Sequence, residues 1–215
     1  MQWTLLIPLK PLVRAKSRLS DTAGDGLRPG LALAFAADTV AAATACSSVR
    51  DVVVITDDAL AGRELGALGA TIIPDTPRRG LNAALSHGEA AVRGERPTAA
   101  VAALNADLPA LRTAELGRVL TAAASPRAFL ADTAGTGTTL LAAAPGTPLR
   151  PLFGGASRLR HLASGAVELA PDQVESVRRD VDTGADLRAA LSLGVGPRTA
   201  AAAAGLLIPD RFVPD

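Results

Sequence analysis

Hydrophobic residues along this chain fall into short runs that are too brief for helices and are bounded by glycine, proline or acidic residues. Runs rich in small and β-branched residues are typical of strands buried on both faces, as in a parallel sheet. We predict strands at residues 3–7, 51–57, 70–73, within 101–109, and at 127–132, 138–142 and 166–169.

The segments between these runs have the apolar spacing and the caps of helices. We predict helices at residues 31–45, 58–68, from 81 onward, at 113–124 with Thr113 as its cap, and up to residue 193. A glycine-rich turn is expected at residues 24–30. Strands that alternate with helices form right-handed βαβ units. The sequence therefore predicts a single α/β domain over residues 1–215, Rossmann-like, with a mostly parallel central sheet flanked by helices.

Composition narrows the class of partner. The 215 residues are 48% hydrophobic, carry a net charge of +1 and are only 2% aromatic. This balance disfavours nucleic acid and anionic membranes as partners, and no run is long enough to cross a bilayer. A secretion signal is not evident either, so we expect a cytoplasmic protein. Cys46 is the sole cysteine, which excludes an intrachain disulfide, and a homodimer is left open.

A basic loop follows the first predicted strand. Pro8 and Pro11 disfavour regular structure there, and only two of the 22 Lys and Arg residues are lysines, Lys10 and Lys16, both in this loop. A compact ammonium group on a flexible stem suits a phosphate. The loop is a candidate cradle for a polyphosphate, and a solvated basic loop is the alternative.

Three aspartates have positions that suit a divalent cation. Asp107 ends the central apolar strand, where open α/β sheets place their ligands. Asp180 and Asp182 are separated by one residue, so in an extended segment both side chains point the same way. Two carboxylates this close favour a cation between them. The alternative is helix capping by Asp107, by Asp182 or by Thr183.

Two glycine-containing segments are candidate anion sites. Residues 133–137 contain Gly135 and Gly137, whose backbone amides could form an anion-binding nest, although a hairpin turn explains them equally. The glycine pair Gly154-Gly155 leads into a helix with Ser157 near its start, where unpaired amides could hold a phosphate or carboxylate. Asn82, at another helix start, is read as a cap or as a contact to a base or ribose.

Taken together, the basic loop, Asn-Ala-Asp-Leu-Pro at 105–109, Gly-Thr-Gly-Thr-Thr at 135–139, Phe-Gly-Gly-Ala-Ser at 153–157 and Asp-Val-Asp-Thr at 180–183 resemble a known family. These motifs, in this order, are similar to those of the phospholactate/phosphoenolpyruvate guanylyltransferases of coenzyme F-420 biosynthesis, within the MobA-like nucleotidyltransferase superfamily. The resemblance implies a glycosyltransferase-A-type sheet. It also implies transfer of GMP from GTP to a small phosphorylated three-carbon acid, with release of diphosphate.

The resemblance also implies roles for individual residues. It assigns the GTP phosphates to Lys10 and Lys16, two Mg²⁺ ions to Asp107, Asp180 and Asp182, the acceptor acid to Thr139, Gly154 and Ser157, and the nucleoside to Asp75, Gly80 and Asn82. Gly184 stands where the family pattern leads us to expect proline, which bears on the rigidity of the helix start that follows the ligands.

The implied chemistry needs no general base, because a phosphate monoester is already mostly dianionic near neutral pH. The alternatives are a nucleotidyltransferase for another acceptor, such as 3-phosphoglycerate, a sugar phosphate or the molybdenum cofactor, and a non-catalytic nucleotide-binding protein.

Overall fold

The computed structural model describes residues 1–14 and 20–204, with the backbone alone for residues 20–25. The strands are β1 (Trp3–Pro8), β2 (Val49–Ile55), β3 (Thr71–Ile73), β4 (Ala100–Leu104), β5 (Arg127–Ala131), β6 (Thr138–Ala143) and β7 (Val167–Glu168). They form one sheet in the order β3-β2-β1-β4-β6-β5-β7. Strand β6 runs antiparallel to its neighbours β4 and β5, and the other pairings in the sheet are parallel. The predicted mostly parallel sheet is confirmed.

The helices of the described part are α1 (Ser20–Thr44), α2 (Ala59–Gly66), α3 (Leu81–Glu95), α4 (Thr113–Ala122), α5 (Ser157–Ala163), α6 (Glu175–Arg178), α7 (Gly184–Leu193) and α8 (Pro197–Ala204), with a 3-10 turn at Leu12–Arg14. Within residues 1–14 and 20–204, no helix is long and apolar enough to cross a membrane.

Two local predictions were wrong. The turn expected at residues 24–30 is part of α1, which continues through Pro29. Burial of Phe35 and Val40 further along the same helix outweighs the low helix propensity of glycine and proline. Thr113 does not cap α4, because the cap position is Arg112 and the Thr113 hydroxyl group donates to the Ala42 carbonyl oxygen instead (3.2 Å).

The core lies on both faces of the sheet. Along β1, Leu5 and Ile7 pack with α1, α2 and α4 on one face, whereas Leu6 packs with α3 on the other. This burial on both faces explains why the strands read as continuous apolar runs.

Candidate active site

A cleft of about 700 Å³ lies at the edge of the sheet where β1 and β4 end. Strand order reverses between these two strands, because β2 and β3 lie on one side of β1 and β4 lies on the other. Ligands of open α/β sheets bind at such a switch point. The cleft is lined by Pro8, Leu9, Lys10, Arg14, Ala32, Leu81, Asn105, Ala106, Asp107, Asp132, Thr136, Gly137, Thr138, Phe153, Gly154, Gly155, Ala156, Ser157, Asp180 and Asp182.

The three candidate metal ligands line this one cleft. Asp107 follows β4, and its backbone carbonyl oxygen accepts a hydrogen bond from the Val181 amide (3.1 Å). Val181 is fully buried against α1 and α7, and its two neighbours in the chain, Asp180 and Asp182, both line the cleft. The backbone therefore ties the Asp107 loop to the loop that carries the other two carboxylates.

Helix capping near these carboxylates falls to Thr183. Its hydroxyl group accepts from the Asp186 amide (3.2 Å), and the Asp186 carboxylate accepts from the Thr183 amide (2.8 Å). This reciprocal capping box closes the start of α7 at Gly184 without a proline. Thr183 is therefore the cap of α7, and Asp182 next to it lines the cleft.

A buried carboxylate on α4 supports the loop that carries Asp180 and Asp182. Glu115 on α4 is 4% exposed, and its Oε2 accepts from both the amide (2.8 Å) and the hydroxyl group (2.8 Å) of Ser176 on α6. Its Oε1 accepts from Arg112 (3.2 Å), which also donates to the Leu193 carbonyl oxygen at the end of α7 (2.6 Å). Helix α6 leads directly into Asp180, so this network holds the carboxylate loop against α4. The sequence places Glu115 in the first turn of a helix, but its contact with Ser176, 61 positions away, has no local signal.

The donor set suits a hard divalent cation, because carboxylate oxygens are what such ions prefer. Among residues 1–14 and 20–204, no three His, Cys, Asp or Glu side chains converge into a ready-made metal site. Mg²⁺ does not need one, since it is held by one or two carboxylates together with substrate phosphates and water. The residues present therefore fit an ion that arrives with a nucleotide.

The start of the basic loop is anchored at two points. The Leu9 amide donates to the Ile55 carbonyl oxygen (2.9 Å), and the Leu12 amide donates to Asp58 (2.9 Å). Lys10 is exposed between these anchors and lines the cleft. Burial raises the pKa of Asp58, but amide hydrogen bonds from Leu12 and from α2 outweigh it and hold that pKa below the usual value of an aspartate. Lys16 lies outside the described residues.

The opposite wall of the cleft carries part of the predicted acceptor site. Gly154 (φ +100°) and Gly155 (φ +42°) adopt the left-handed conformation that favours glycine. They and Ser157 line the cleft. Thr139 is fully buried and does not line the described cleft, whereas its neighbour Thr138 does.

The two expected amide sites are largely used within the fold. The amides of Thr136 and Gly137 donate to the Asp132 carboxylate (2.9 and 2.8 Å), so that carboxylate, rather than a ligand, fills the expected nest. At the start of α5, the Ser157 amide donates to the Gly155 carbonyl oxygen (2.9 Å) and the Arg158 amide to that of Thr136 (3.1 Å). The Ser157 amide is thus bonded within the glycine turn itself, and the Arg158 amide is bonded to the turn that precedes β6.

The predicted nucleoside residues lie beside the cleft. Leu81 of the segment 75–82 lines the cleft. Asp75, Gly80 and Asn82 are not among the described lining residues. Asn82 neither caps α3 nor reaches the cleft. Its side chain accepts from the Phe153 amide (2.8 Å) and donates to the Phe153 carbonyl oxygen (3.2 Å). Asn82 therefore ties α3 to the segment that leads into the glycine pair.

A buried histidine was also missed. His161 on α5 is fully buried, and Nε2 accepts from the Leu152 amide (3.1 Å) while Nδ1 contacts the Thr138 hydroxyl group (2.9 Å). Burial, together with the positive charges of Arg127 and Arg160, lowers the pKa of His161 to about 4. The sequence feature that could have indicated His161 is its position four residues after Ser157, because this spacing puts both residues on one face of the helix.

Solved structures of other proteins share this α/β fold. The chain matches a nucleotidyl transferase from Methanothermobacter thermautotroptrophicus with a TM-score of 0.58 at 19% identity, covering 89% of this chain and 97% of that one. It matches Rv0371c of Mycobacterium tuberculosis H37Rv in complex with manganese with a TM-score of 0.55 at 21% identity, covering 89% and 99%. At such identities the likeness establishes the fold.

Closer relatives supply the family. Residues 3–196 match the family described as guanylyl transferase CofC like. The phosphoenolpyruvate guanylyltransferase of Streptomyces coelicolor is 72% identical over 212 residues, which cover 98% of this chain and all of that protein. The chain belongs to this guanylyl transferase family and is a nucleotidyltransferase. The predicted family resemblance is confirmed.

Proposed function

We propose that this protein transfers GMP from GTP to phosphoenolpyruvate, with release of diphosphate, as a step toward coenzyme F-420. The observation that carries the proposal is one cleft that is lined by the three candidate metal ligands, Lys10 and a glycine-rich turn. A relative that is 72% identical over 98% of this chain is named phosphoenolpyruvate guanylyltransferase. That name supports phosphoenolpyruvate as the acceptor over 2-phospho-L-lactate, 3-phosphoglycerate, a sugar phosphate or the molybdenum cofactor.

In the proposed reaction a phosphate oxygen of the acceptor attacks the α-phosphorus of GTP. The bond from that phosphorus to the oxygen shared with the β-phosphate breaks, and diphosphate leaves with the electron pair. The attacking phosphate is already largely dianionic near pH 7, so no proton has to be removed. The task of the protein is to bring two anions together in line and to stabilise the charge that develops.

The described residues suit these tasks. Asp107, Asp180 and Asp182 would hold two Mg²⁺ ions, which when bound neutralise the reacting phosphates. Lys10, joined by Lys16, would bind the leaving diphosphate. Neither lysine has to act as an acid or a base.

Residues on both sides of the cleft would bind the two substrates. The acceptor would lie against Gly154 and Ser157, beside the start of β6, where Thr139 is buried behind the cleft wall. The segment from Asp75 through Gly80 to Asn82 would border the nucleoside. Two bound substrates require no further cofactor apart from the metal.

The proposal is tested by incubating the full chain with Mg²⁺, GTP and one phosphorylated acid at a time, and by weighing the products by mass spectrometry. We expect a guanylylated phosphoenolpyruvate and one equivalent of diphosphate. Product with 2-phospho-L-lactate or 3-phosphoglycerate and none with phosphoenolpyruvate would overturn the acceptor. Absence of diphosphate with every acid would overturn the activity and favour a non-catalytic nucleotide-binding protein.

A further inference from the structure

Beneath the acceptor side of the cleft lies a polar pair that the proposed reaction does not use. Thr138 is 4% exposed and lines the cleft, and His161 is fully buried next to it. The imidazole ring contacts Phe129 and Phe153, with ring centroids 5.6 and 5.2 Å away. A polar ring enclosed by aromatic side chains requires partners for both of its nitrogens.

The hydrogen bonds determine which nitrogen of His161 carries the proton. The Leu152 amide can only donate, so Nε2 of His161 must accept from it (3.1 Å). A neutral imidazole has one donor and one acceptor, and therefore Nδ1 carries the hydrogen. Burial and the neighbouring Arg127 and Arg160 keep the ring neutral near pH 7, since they lower its pKa to about 4.

This tautomer determines what the Thr138 hydroxyl group can do. Nδ1–H of His161 donates to Thr138 Oγ1 (2.9 Å), so the hydroxyl oxygen acts as the acceptor in this contact. The hydroxyl hydrogen must then point elsewhere. Within residues 1–14 and 20–204, this hydroxyl group has no other hydrogen-bond partner. Thr138 faces the cleft, where the ligand would be anionic.

We propose that Thr138 binds the acceptor, donating its hydroxyl hydrogen to an anionic oxygen of the phosphorylated acid, and that His161 is the positioning residue that orients this donor. The inference rests on the proposed function and adds a binding residue and its support to that site. The Leu152 amide determines the tautomer of the imidazole ring, and the ring in turn determines the direction of the Thr138 hydroxyl group.

The test compares steady-state kinetics of Thr138→Val, which removes the hydroxyl group at nearly constant volume, with Thr138→Ser, which retains it. With phosphoenolpyruvate varied at saturating GTP, Thr138→Val should raise KM about tenfold to a hundredfold, as expected for a lost hydrogen bond to a charged group. Thr138→Ser should stay close to wild type. KM for GTP should be unchanged in both variants.

A double-mutant cycle separates positioning from general support of the fold. His161→Leu should raise KM for phosphoenolpyruvate in the wild-type background and have little further effect beside Thr138→Val. An equal effect in both backgrounds would show that His161 acts through Leu152 and the backbone, and would overturn its role. If circular dichroism shows that His161→Leu does not fold, His161→Gln takes the place of His161→Leu in the cycle. The two Thr138 variants then still decide whether Thr138 binds the acceptor.

Failure of the inference and failure of the proposed function give different results. An active wild-type protein whose Thr138→Val variant keeps its KM for the acceptor overturns the inference alone. If the wild-type protein guanylylates another phosphorylated acid instead, the same kinetic comparison of the Thr138 variants is made with that acid. A wild-type protein that transfers GMP to none overturns both.

Discussion

Replacement of Glu115 by alanine tests whether one buried carboxylate holds the loop that carries Asp180 and Asp182. Glu115 accepts two hydrogen bonds of 2.8 Å from Ser176, which is itself fully buried. Each such bond to a charged acceptor contributes about 1.5–3 kcal/mol, so Glu115→Ala should lower the free energy of unfolding by about 3–6 kcal/mol. The contact with Arg112 adds little, because the Arg112 side chain is 52% exposed.

For a chain of this length, that loss corresponds to a fall in Tm of roughly 10 °C. Differential scanning calorimetry at pH 7 measures it, with Glu115→Gln as the matched control. Glutamine keeps the shape and one carbonyl oxygen for Ser176, and should retain about half of the free energy. Arg118→Ala on the same helix removes an exposed side chain that donates to the Gln173 carbonyl oxygen and should have a smaller effect.

The same substitution should also affect activity below the melting temperature. When α6 loosens, Asp180 and Asp182 lose their fixed position opposite Asp107, and the Mg²⁺ concentration for half-maximal rate should rise about tenfold, since about 1.4 kcal/mol of lost preorganisation corresponds to that factor. A Glu115→Ala variant that melts with the wild type and has the same Mg²⁺ dependence would refute this reasoning. Lower Tm with an unchanged Mg²⁺ dependence would limit Glu115 to stability.

Three further perturbations have defined outcomes. Asp107→Asn or Asp182→Asn should lower kcat about a thousandfold, because the reacting phosphates lose charge neutralisation. The circular dichroism spectrum should stay unchanged. Near-normal turnover in either variant would contradict the proposed role of these carboxylates. Asp58→Ala should lower the free energy of unfolding by about 1–2 kcal/mol, because Asp58 caps α2, and should raise KM for GTP severalfold, because it anchors the loop that carries Lys10. Urea unfolding measures the first effect and GTP titration the second. An unchanged KM would show that this loop does not bind GTP. The pKa of His161 is about 4 in the folded protein and 6.5 in the unfolded chain, so between these pH values the unfolded chain binds one more proton. The free energy of unfolding should therefore fall by up to about 3 kcal/mol as the pH drops from 6.5 to 4. Urea unfolding over this range should show a steeper pH dependence in the wild type than in His161→Gln, and parallel curves would argue against a neutral buried ring.

The order of the seven strands and the position of three aspartates in one cleft could be predicted from the sequence, because each has a local signal. Helices α6 and α8 were not predicted. Hydrophobic runs and helical spacing arise from residues a few positions apart. Asp107 ends an apolar strand, and Asp180 and Asp182 have the spacing that gives neighbouring carboxylates one direction. The residues of the basic loop, the glycine pair and Ser157 also stand in contiguous motifs.

Contacts between distant parts of the chain were decided by the tertiary structure alone. Helix α1 passes through Pro29 because its packing outweighs local propensity, and Asp132 occupies the amides that a motif suggested for a ligand. Asn82 bonds to Phe153, 71 positions away, and Glu115 bonds to Ser176, 61 positions away. Such pairs leave no pattern in a single sequence, because only the folded backbone brings the partners together. The same holds for Thr138, since neighbouring threonines look alike until the sheet determines which one lines the cleft.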